Sequence, residues 1–352
     1  MAAGGRGDLF LAEIREQPDA LLRLLDESEP LERAASALGR HRRPLVRMIG
    51  HGSSDNATSF GVYAFGVLAG LTAIRDSISL AVYYKADVDF SDSVVLALSQ
   101  SGRTPDVVRY VEHARSRGAA TIALTNDAGA ELAEVSEHVI PLAAGPERAV
   151  AATKTYMNQL AALALVAACA AGHGDRVRAE LGALAETLRR SIPSLEQAAA
   201  AIAVSFVFVG RMFVIGRGPE FATAREIALK LVETCRLAAE PFTATALTHG
   251  PVAALDPLFP VWAITTEDES LETVIAAARR ARKAGATLVA SGNAAARLRG
   301  AAYRLPAPAA PTPLLAPLLS VVPGQLFAHA LALAKGLDPD RPAGLTKVTL
   351  AP

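Results

Sequence analysis

RMIGHG at 47–52 and RMFVIGRG at 211–218 decide the fold, because each is an apolar strand ending in a Gly-x-Gly turn that opens a helix. Two more pairs recur in the same order, at a shared offset of roughly 166 residues. SRGAATIALTN from Ser116 returns as KAGATLVASGN from Lys283, each after a helical stretch ending in Arg or Lys. HVIPLAAGPE from His138, followed by the helical stretch with Gln159, returns as YRLPAPAAP from Tyr303, followed by the one with Gln325. The chain is therefore read as a duplication.

Within each copy, short β-branched runs such as 93–98 and 121–124 alternate with longer helical patterns such as 106–117. Alternation of that kind predicts βαβ units and a parallel sheet with helices on both faces. The fold class expected is α/β, doubled. ELGALAETLRR at 180–190 reads as a charged amphipathic helix bridging the copies, and Ser191-Ile192-Pro193 as a break before the next helix. The expected organisation is an N-terminal helical arm over 1–40, a first domain with its linker helix over 41–190, and a second domain with a C-terminal tail over 191–352. The arm is expected to pack on the second half or on another subunit.

At 352 residues the chain exceeds the size at which one core usually keeps growing. A formal net charge of zero gives no pull toward nucleic acid or an anionic membrane and favours a small-molecule partner. Cys169 and Cys235 stand far apart, in no CxxC or metal-ligand spacing, as core thiols of a reducing compartment would. The seven histidines form no HExxH-like cluster, so neither a metal nor another cofactor is expected. The amino terminus lacks the apolar run of a secretory signal, and the longest apolar runs, 160–171 and 198–209, fall short of the ~20 residues that span a bilayer. A cytoplasmic protein is expected.

LSQSGRTPD at 98–106 lies where ligands bind in open parallel sheets, beyond the carboxyl end of a strand and at the start of a helix. Ser99, Gln100 and Ser101 supply side-chain donors, Gly102 permits a tight turn, and Thr104 and Pro105 suit a helix N-cap and first helical residue. Ser53 and Ser54, in the turn after the first strand, add two hydroxyls at a second helix start. Such residues are common in any βα loop, but three hydroxyls, an amide and a helix terminus also suit a phosphate. The repeat separates the two readings. At the equivalent place the second half has Thr265-Thr266-Glu267-Asp268-Glu269-Ser270, whose three carboxylates would repel an anion.

In the second half, Glu226, Lys230 and Glu233 fall on one face of the helix that follows Pro219. A solvated salt-bridge stripe is the usual meaning of that pattern. Here Ile227, Ala228, Leu229, Leu231 and Val232 surround it, which makes the other faces of the helix apolar and favours a charged stripe lining a polar cavity. His249 follows in the Gly-Pro loop of LTHGPVAAL, a histidine near a carboxylate as proton transfer requires. Lys347 stands close to the carboxyl terminus.

LSQSGRT (98–104), VAATKT (150–155), GRGPEFATAREIALKLVET (216–234), LTHGP (247–251) and LTKV (345–348), in this order, resemble the tandem-domain branch of the SIS (sugar isomerase) superfamily over residues 8 to 350. That branch holds the isomerase domain of glutamine:fructose-6-phosphate amidotransferase and the SIS-type glucosamine-6-phosphate deaminases. EIREQPDALLRLL (13–25), GSSDN (52–56) and ETC (233–235) are closer to the deaminase style. The resemblance implies that Ser54, Ser99, Gln100, Ser101 and Thr104 bind the phosphate and that Glu233 shuttles a proton between C1 and C2 of the open-chain sugar. His249 would assist ring opening, Lys347 would reach the carbonyl or amine carbon, and Lys230 with Glu226 would support the site. A homodimer is implied too, with the His249 loop serving the neighbouring subunit. The chain departs from the family at Ala238, where a histidine is common, and at Ala246, where a glutamate is.

The resemblance implies an aldose–ketose isomerase that also removes the 2-amino group, turning glucosamine 6-phosphate into fructose 6-phosphate and ammonia. Glutamine-driven synthesis is not expected, because the chain starts Met1-Ala2 rather than with the nucleophilic cysteine of a glutaminase domain. Ala238 and Ala246 keep open a fructosamine-phosphate deglycase or an isomerase of another sugar phosphate. A non-catalytic sugar-phosphate sensor is the remaining alternative, opposed by the joint presence of Glu233, His249, Lys230 and Lys347.

Overall fold

The computed structural model describes residues 5–39 and 44–347. The extreme ends of the expected arm and tail, 1–4, 40 and 348–352, lie outside the described residues.

The chain runs through α1 (Asp8–Arg15), α2 (Gln17–Leu25), α3 (Ser28–Leu38), β1 (Leu45–Ile49), α4 (Ser53–Ala64), β2 (Ala73–Arg75) and α5 (Ile78–Val82). It continues with β3 (Ser93–Ser99), α6 (Pro105–Ser116), β4 (Ala120–Thr125), α7 (Glu131–Val135), β5 (His138–Pro141), α8 (Lys154–Ala170) and α9 (Gly174–Ala203). Next come β6 (Arg211–Gly216), α10 (Glu220–Cys235), β7 (Ala238–Thr243), α11 (Ala244–Thr248) and β8 (Pro260–Ile264). The last elements are α12 (Leu271–Lys283), β9 (Thr287–Gly292), β10 (Tyr303–Pro306) and α13 (Pro317–Ala334).

Two compact units result, each built from three stretches of chain. The first unit comprises Gln17–Glu147, Lys154–Ala185 and Thr346–Pro352, and the second comprises Met1–Glu16, Arg148–Thr153 and Glu186–Leu345. Each holds a five-stranded, wholly parallel sheet. The strand order is β2-β1-β3-β4-β5 in the first and, counted from the matching edge, β7-β6-β8-β9-β10 in the second. The order is the same, so the sequence repeat is a repeat of topology. It is a doubly wound order with its switch point between the first and third strands, which is where ligands bind in such sheets.

Every residue of β3 and β4 is buried, as strands covered on both faces must be. In the first unit α8 is buried around its whole circumference from Lys154 to Ala168, a core helix rather than a surface one. In the second, α13 packs against α10. A side chain at Gly324 would meet Ile227 Cγ1 at 2.3 Å, so glycine there lets the two helices close up.

Three expectations are corrected. The helices of the expected arm, within residues 8–38, do not form a separate arm: α1 buries Phe10 and Ile14 in the second unit beside α13, whereas α2 and α3 pack on α8 in the first. Each helix is amphipathic, and each covers a core that is already there. Ser191-Ile192-Pro193 does not break the chain, because α9 runs on through Pro193. Its apolar stripe, Leu181, Leu184, Leu188, Ile192, Leu195 and Ala199, is buried on both sides of the proline, and that burial outweighs the ~3 kcal/mol an internal proline costs. Finally, a segment longer than a dozen residues, Pro313–Ala334, is long and apolar enough to cross a membrane by composition, but 94% of its apolar window is buried within the fold. Ser320, Gln325 and His329 hide its apolar character in sequence.

Candidate active site

In the first unit, β1 pairs with β3 from Leu45↔Ser93 to Ile49↔Ala97. Their two following loops, Gly50-His51-Gly52 and 99–104, therefore leave the sheet side by side at the switch point. Ser99 Oγ accepts the Gly102 N–H at 3.1 Å and pairs with Thr104 Oγ1 at 3.2 Å. Ser101 Oγ accepts the Arg103 N–H at 3.3 Å. Gly102 has φ +64°, and a Cβ there would lie 2.7 Å from Ala130 Cβ and 2.8 Å from Thr125 Oγ1. Thr104 occupies the N-cap position of α6 with extended backbone, yet its hydroxyl turns to Ser99 instead of capping an amide. The helix therefore opens onto the loop with its first amides not capped by that side chain.

Ser54, in the first turn of α4, accepts a hydrogen bond from Gln159 Nε2 of α8 at 2.8 Å, and Ser53 stands beside it, half-buried. The half-buried Gln100 lends its backbone carbonyl to the Asn126 N–H at 3.1 Å. All six expected phosphate residues thus come from two adjacent strand ends. Sequence reasoning assigned no role to His51, whose Nε2 lies 2.8 Å from Asp106 Oδ2 in the first turn of α6. A lone histidine between two glycines carried no signal without knowledge of which helix start lay next to it.

Lys347 also belongs to the first unit. Its ammonium donates to Glu147 Oε2 at 2.9 Å, and the Glu147 side chain has no solvent exposure. The same carboxylate accepts the Thr155 N–H at 3.1 Å and the Thr155 hydroxyl at 2.7 Å, both at the start of α8. The tail lysine is thus not a solvated terminal charge. Glu147 was missed because its partner lies two hundred residues away.

In the second unit the three charges of α10 meet. Lys230 Nζ lies 3.2 Å from Glu226 and 2.7 Å from Glu233. Lys230 and Glu226 are wholly buried, whereas 21% of the Glu233 side chain is exposed. Burial alone would push the Lys230 ammonium down, but Glu226 and Glu233 outweigh it and hold it above the usual lysine range. The stripe is therefore an internal ion cluster with one carboxylate reaching solvent, not a surface salt bridge.

His249 sits at the C-cap of α11, exposed, and its imidazole has no hydrogen-bond partner among the described residues. The structure does not bring it to Glu233 by any hydrogen bond. Of the acidic loop, Glu267 pairs with Arg297 at 2.5 Å and Asp268 Oδ1 accepts both the N–H and the hydroxyl of Ser270 at 2.8 Å. Where Ser54 stands in the first copy, the second has Glu220, with Thr266 and Ser320 hydroxyls donating to its Oε1 at 2.5 and 2.8 Å. Complete burial pushes this carboxyl up, against those two hydrogen bonds. Cys235 is likewise pushed up by burial, to about 11, so it remains a protonated core thiol.

Comparison with known proteins fits this geometry. The model of the SIS domain matches residues 44–169 and 206–335, one region for each sheet. The isomerizing glutamine--fructose-6-phosphate aminotransferase of Aeropyrum pernix is 35% identical over 355 residues, which cover 97% of this chain and 57% of that protein. The chain thus spans less than two thirds of the length of such relatives. The C-terminal domain of glucosamine-fructose-6-phosphate aminotransferase from Francisella tularensis superposes with a TM-score of 0.87 at 25% identity, over 97% of this chain and all of that one. Glucosamine-6-phosphate deaminase from Thermotoga maritima shares the fold, with a TM-score of 0.76 at 19% identity over 98% and 100% of the two chains.

Proposed function

The chain belongs to the SIS domain family, and on that premise we propose that it is a phosphosugar aldose–ketose isomerase that also releases the C2 amine, converting glucosamine 6-phosphate and water into fructose 6-phosphate and ammonia. The observation that carries this reading is the buried Glu226–Lys230–Glu233 cluster with Glu233 alone reaching solvent. Ser53, Ser54, Ser99, Gln100, Ser101 and Thr104 hold the phosphate, as two adjacent strand ends lined with hydroxyls and a helix start suit an anion.

Glu233 takes the proton from C2 of the open-chain aldehyde, giving an enolamine, and returns it to C1. Carbon 1 becomes the hydroxymethyl group and C2 an iminium. Lys230 holds the Glu233 carboxylate by a contact of 2.7 Å, and Glu226 helps keep Lys230 charged. Attack by the Lys347 amine on C2 expels ammonia and leaves a lysine imine, which water cleaves to the ketone. That amine is a nucleophile only without its third proton, and Glu147, 2.9 Å away, is the group placed to receive it. His249, exposed at the end of α11, serves ring opening in a second copy of the chain.

Glu233→Gln is expected to abolish turnover while leaving binding intact, and undiminished turnover removes Glu233 as the shuttle. Purified protein incubated with a panel of sugar phosphates, glucosamine 6-phosphate first, should release ammonia and ketose visible by NMR. Turnover of a fructosamine phosphate alone would replace deamination by deglycation, the outcome Ala238 and Ala246 leave open. Binding without any turnover would make the chain a sensor. Mixing the inactive variants His249→Asn and Glu233→Gln should restore part of the activity if His249 acts on its neighbour's substrate, and no restoration excludes that role.

A further inference from the structure

His51 lies between two glycines that fix its place. A Cβ at Gly50 would stand 2.9 Å from Ser54 Cβ, so the turn presses directly on the start of α4. Gly52 has φ 55° and ψ −125°, which only glycine adopts readily. From this rigid turn the imidazole crosses the switch point between β1 and β3 and meets Asp106 at 2.8 Å.

The carboxylate side of the pair poses an electrostatic problem. Asp106 is 5% exposed, and among the described residues its Oδ1 has no hydrogen-bond partner. A buried carboxylate in the first turn stabilises α6 through the helix dipole, but next to an anion loop it repels the ligand the loop is built to hold. The neighbouring arginines are engaged elsewhere: Arg75 with Asp55 at 2.6 Å, Arg103 with Asp127 at 2.9 Å and Arg47 with Asp76 at 2.7 Å. The side chain that meets Asp106 is the imidazole of His51, and 53% of the His51 side chain remains exposed. With Nε2–H given to Asp106, Nδ1 is the polar atom the ring has left for a ligand.

We propose that His51 is a ligand of the phosphate group, donating Nδ1–H to it as an imidazolium, and that Asp106 is the residue that positions the ring. The proposal rests on the phosphate site assigned above and adds a fixed positive group to it. It also gives Asp106 two offsetting effects: it orients the donor, and it repels the anion once the donor is gone.

The test uses the full chain and inorganic phosphate as the probe, with affinity read by calorimetry. His51→Gln should weaken phosphate at least about tenfold, the worth of one charge-assisted hydrogen bond. Some loss of melting temperature is expected, because the buried Asp106 gives up its imidazole partner, so affinities are compared well below both melting points. Asp106→Asn should weaken phosphate in the presence of His51 but strengthen it in the His51→Gln background, a reversal of sign that a merely structural aspartate does not produce. Loss of affinity in Ser101→Ala/Thr104→Ala with none in His51→Gln overturns the role of His51 and leaves the phosphate loop standing. No loss in either variant overturns the loop itself. The same sign for Asp106→Asn in both backgrounds overturns the positioning role.

Discussion

Replacing Lys230 by methionine removes the cation from a cluster in which Glu226 is wholly buried and Glu233 alone reaches solvent. Lys230 stands 2.7 Å from Glu233 and 3.2 Å from Glu226, with no exposure of its own or of Glu226. At an effective dielectric constant of about 20, each contact is a gross attraction of ~5–6 kcal/mol. Desolvation of three ions costs several kcal/mol apiece, so the intact cluster stands near break-even. Breaking it is different. Deprived of Lys230, Glu226 keeps a buried charge or takes up a proton, and the expected loss at about pH 8 is ~3–5 kcal/mol. Lys230 itself titrates above the ordinary lysine value, so its pairing is fully present below about 10.4 and adds no pH dependence between about 5 and 9. Any pH dependence in the variant must come from the carboxylates. Thermal melting followed by circular dichroism should therefore show a large loss for Lys230→Met near pH 8 that shrinks toward pH 5. Glu226→Gln/Lys230→Met should recover most of it. An equal loss at both pH values, or one below about 1 kcal/mol, would refute the account of a buried cluster.

Glu220→Gln should gain stability over the natural chain as pH rises. The folded carboxyl is raised, so above the unfolded value of about 4.3 the unfolded chain binds fewer protons and the natural protein weakens until the folded value is passed; denaturant midpoints that keep a constant gap at all pH would contradict this. Asp340→Ala removes the acceptor for the N–H groups of Gly7, Leu9 and Phe10 at 3.1, 3.2 and 2.8 Å. It should cost ~1–2 kcal/mol, as loss of an N-cap does, and speed hydrogen exchange at Leu9 and Phe10; unchanged exchange would show that α1 starts without it. Gly102→Ala should cost ~1–2 kcal/mol for the left-handed backbone alone. Its Cβ must also displace Ala130 or Thr125, so phosphate affinity should fall, and retained affinity would mean the loop is not held in this shape.

The duplicated α/β fold was legible because a strand, a Gly-x-Gly turn and a helix leave a pattern that survives divergence: both copies keep the same strand order. The α10 cluster was legible for a similar reason, since i, i+4 and i+7 spacing fixes a face locally. What stayed hidden depends on contacts distant in sequence. Glu147 gains meaning only from Lys347, and Asp106 only from His51. The break expected at Pro193 failed because a local proline penalty was weighed without the buried stripe that continues past it.

The interleaving of the two units bears on how such a chain can be divided. Arg148–Thr153 and the first sixteen residues belong with the second sheet, and the tail from Thr346 belongs with the first. A single cut anywhere between the repeats therefore strands pieces of each unit on the wrong fragment. Gene fragments, chimeras between relatives and circular permutants must carry α1 with the second sheet and Lys347 with the first. Exchanging the halves of two such proteins at the repeat boundary would exchange neither unit intact.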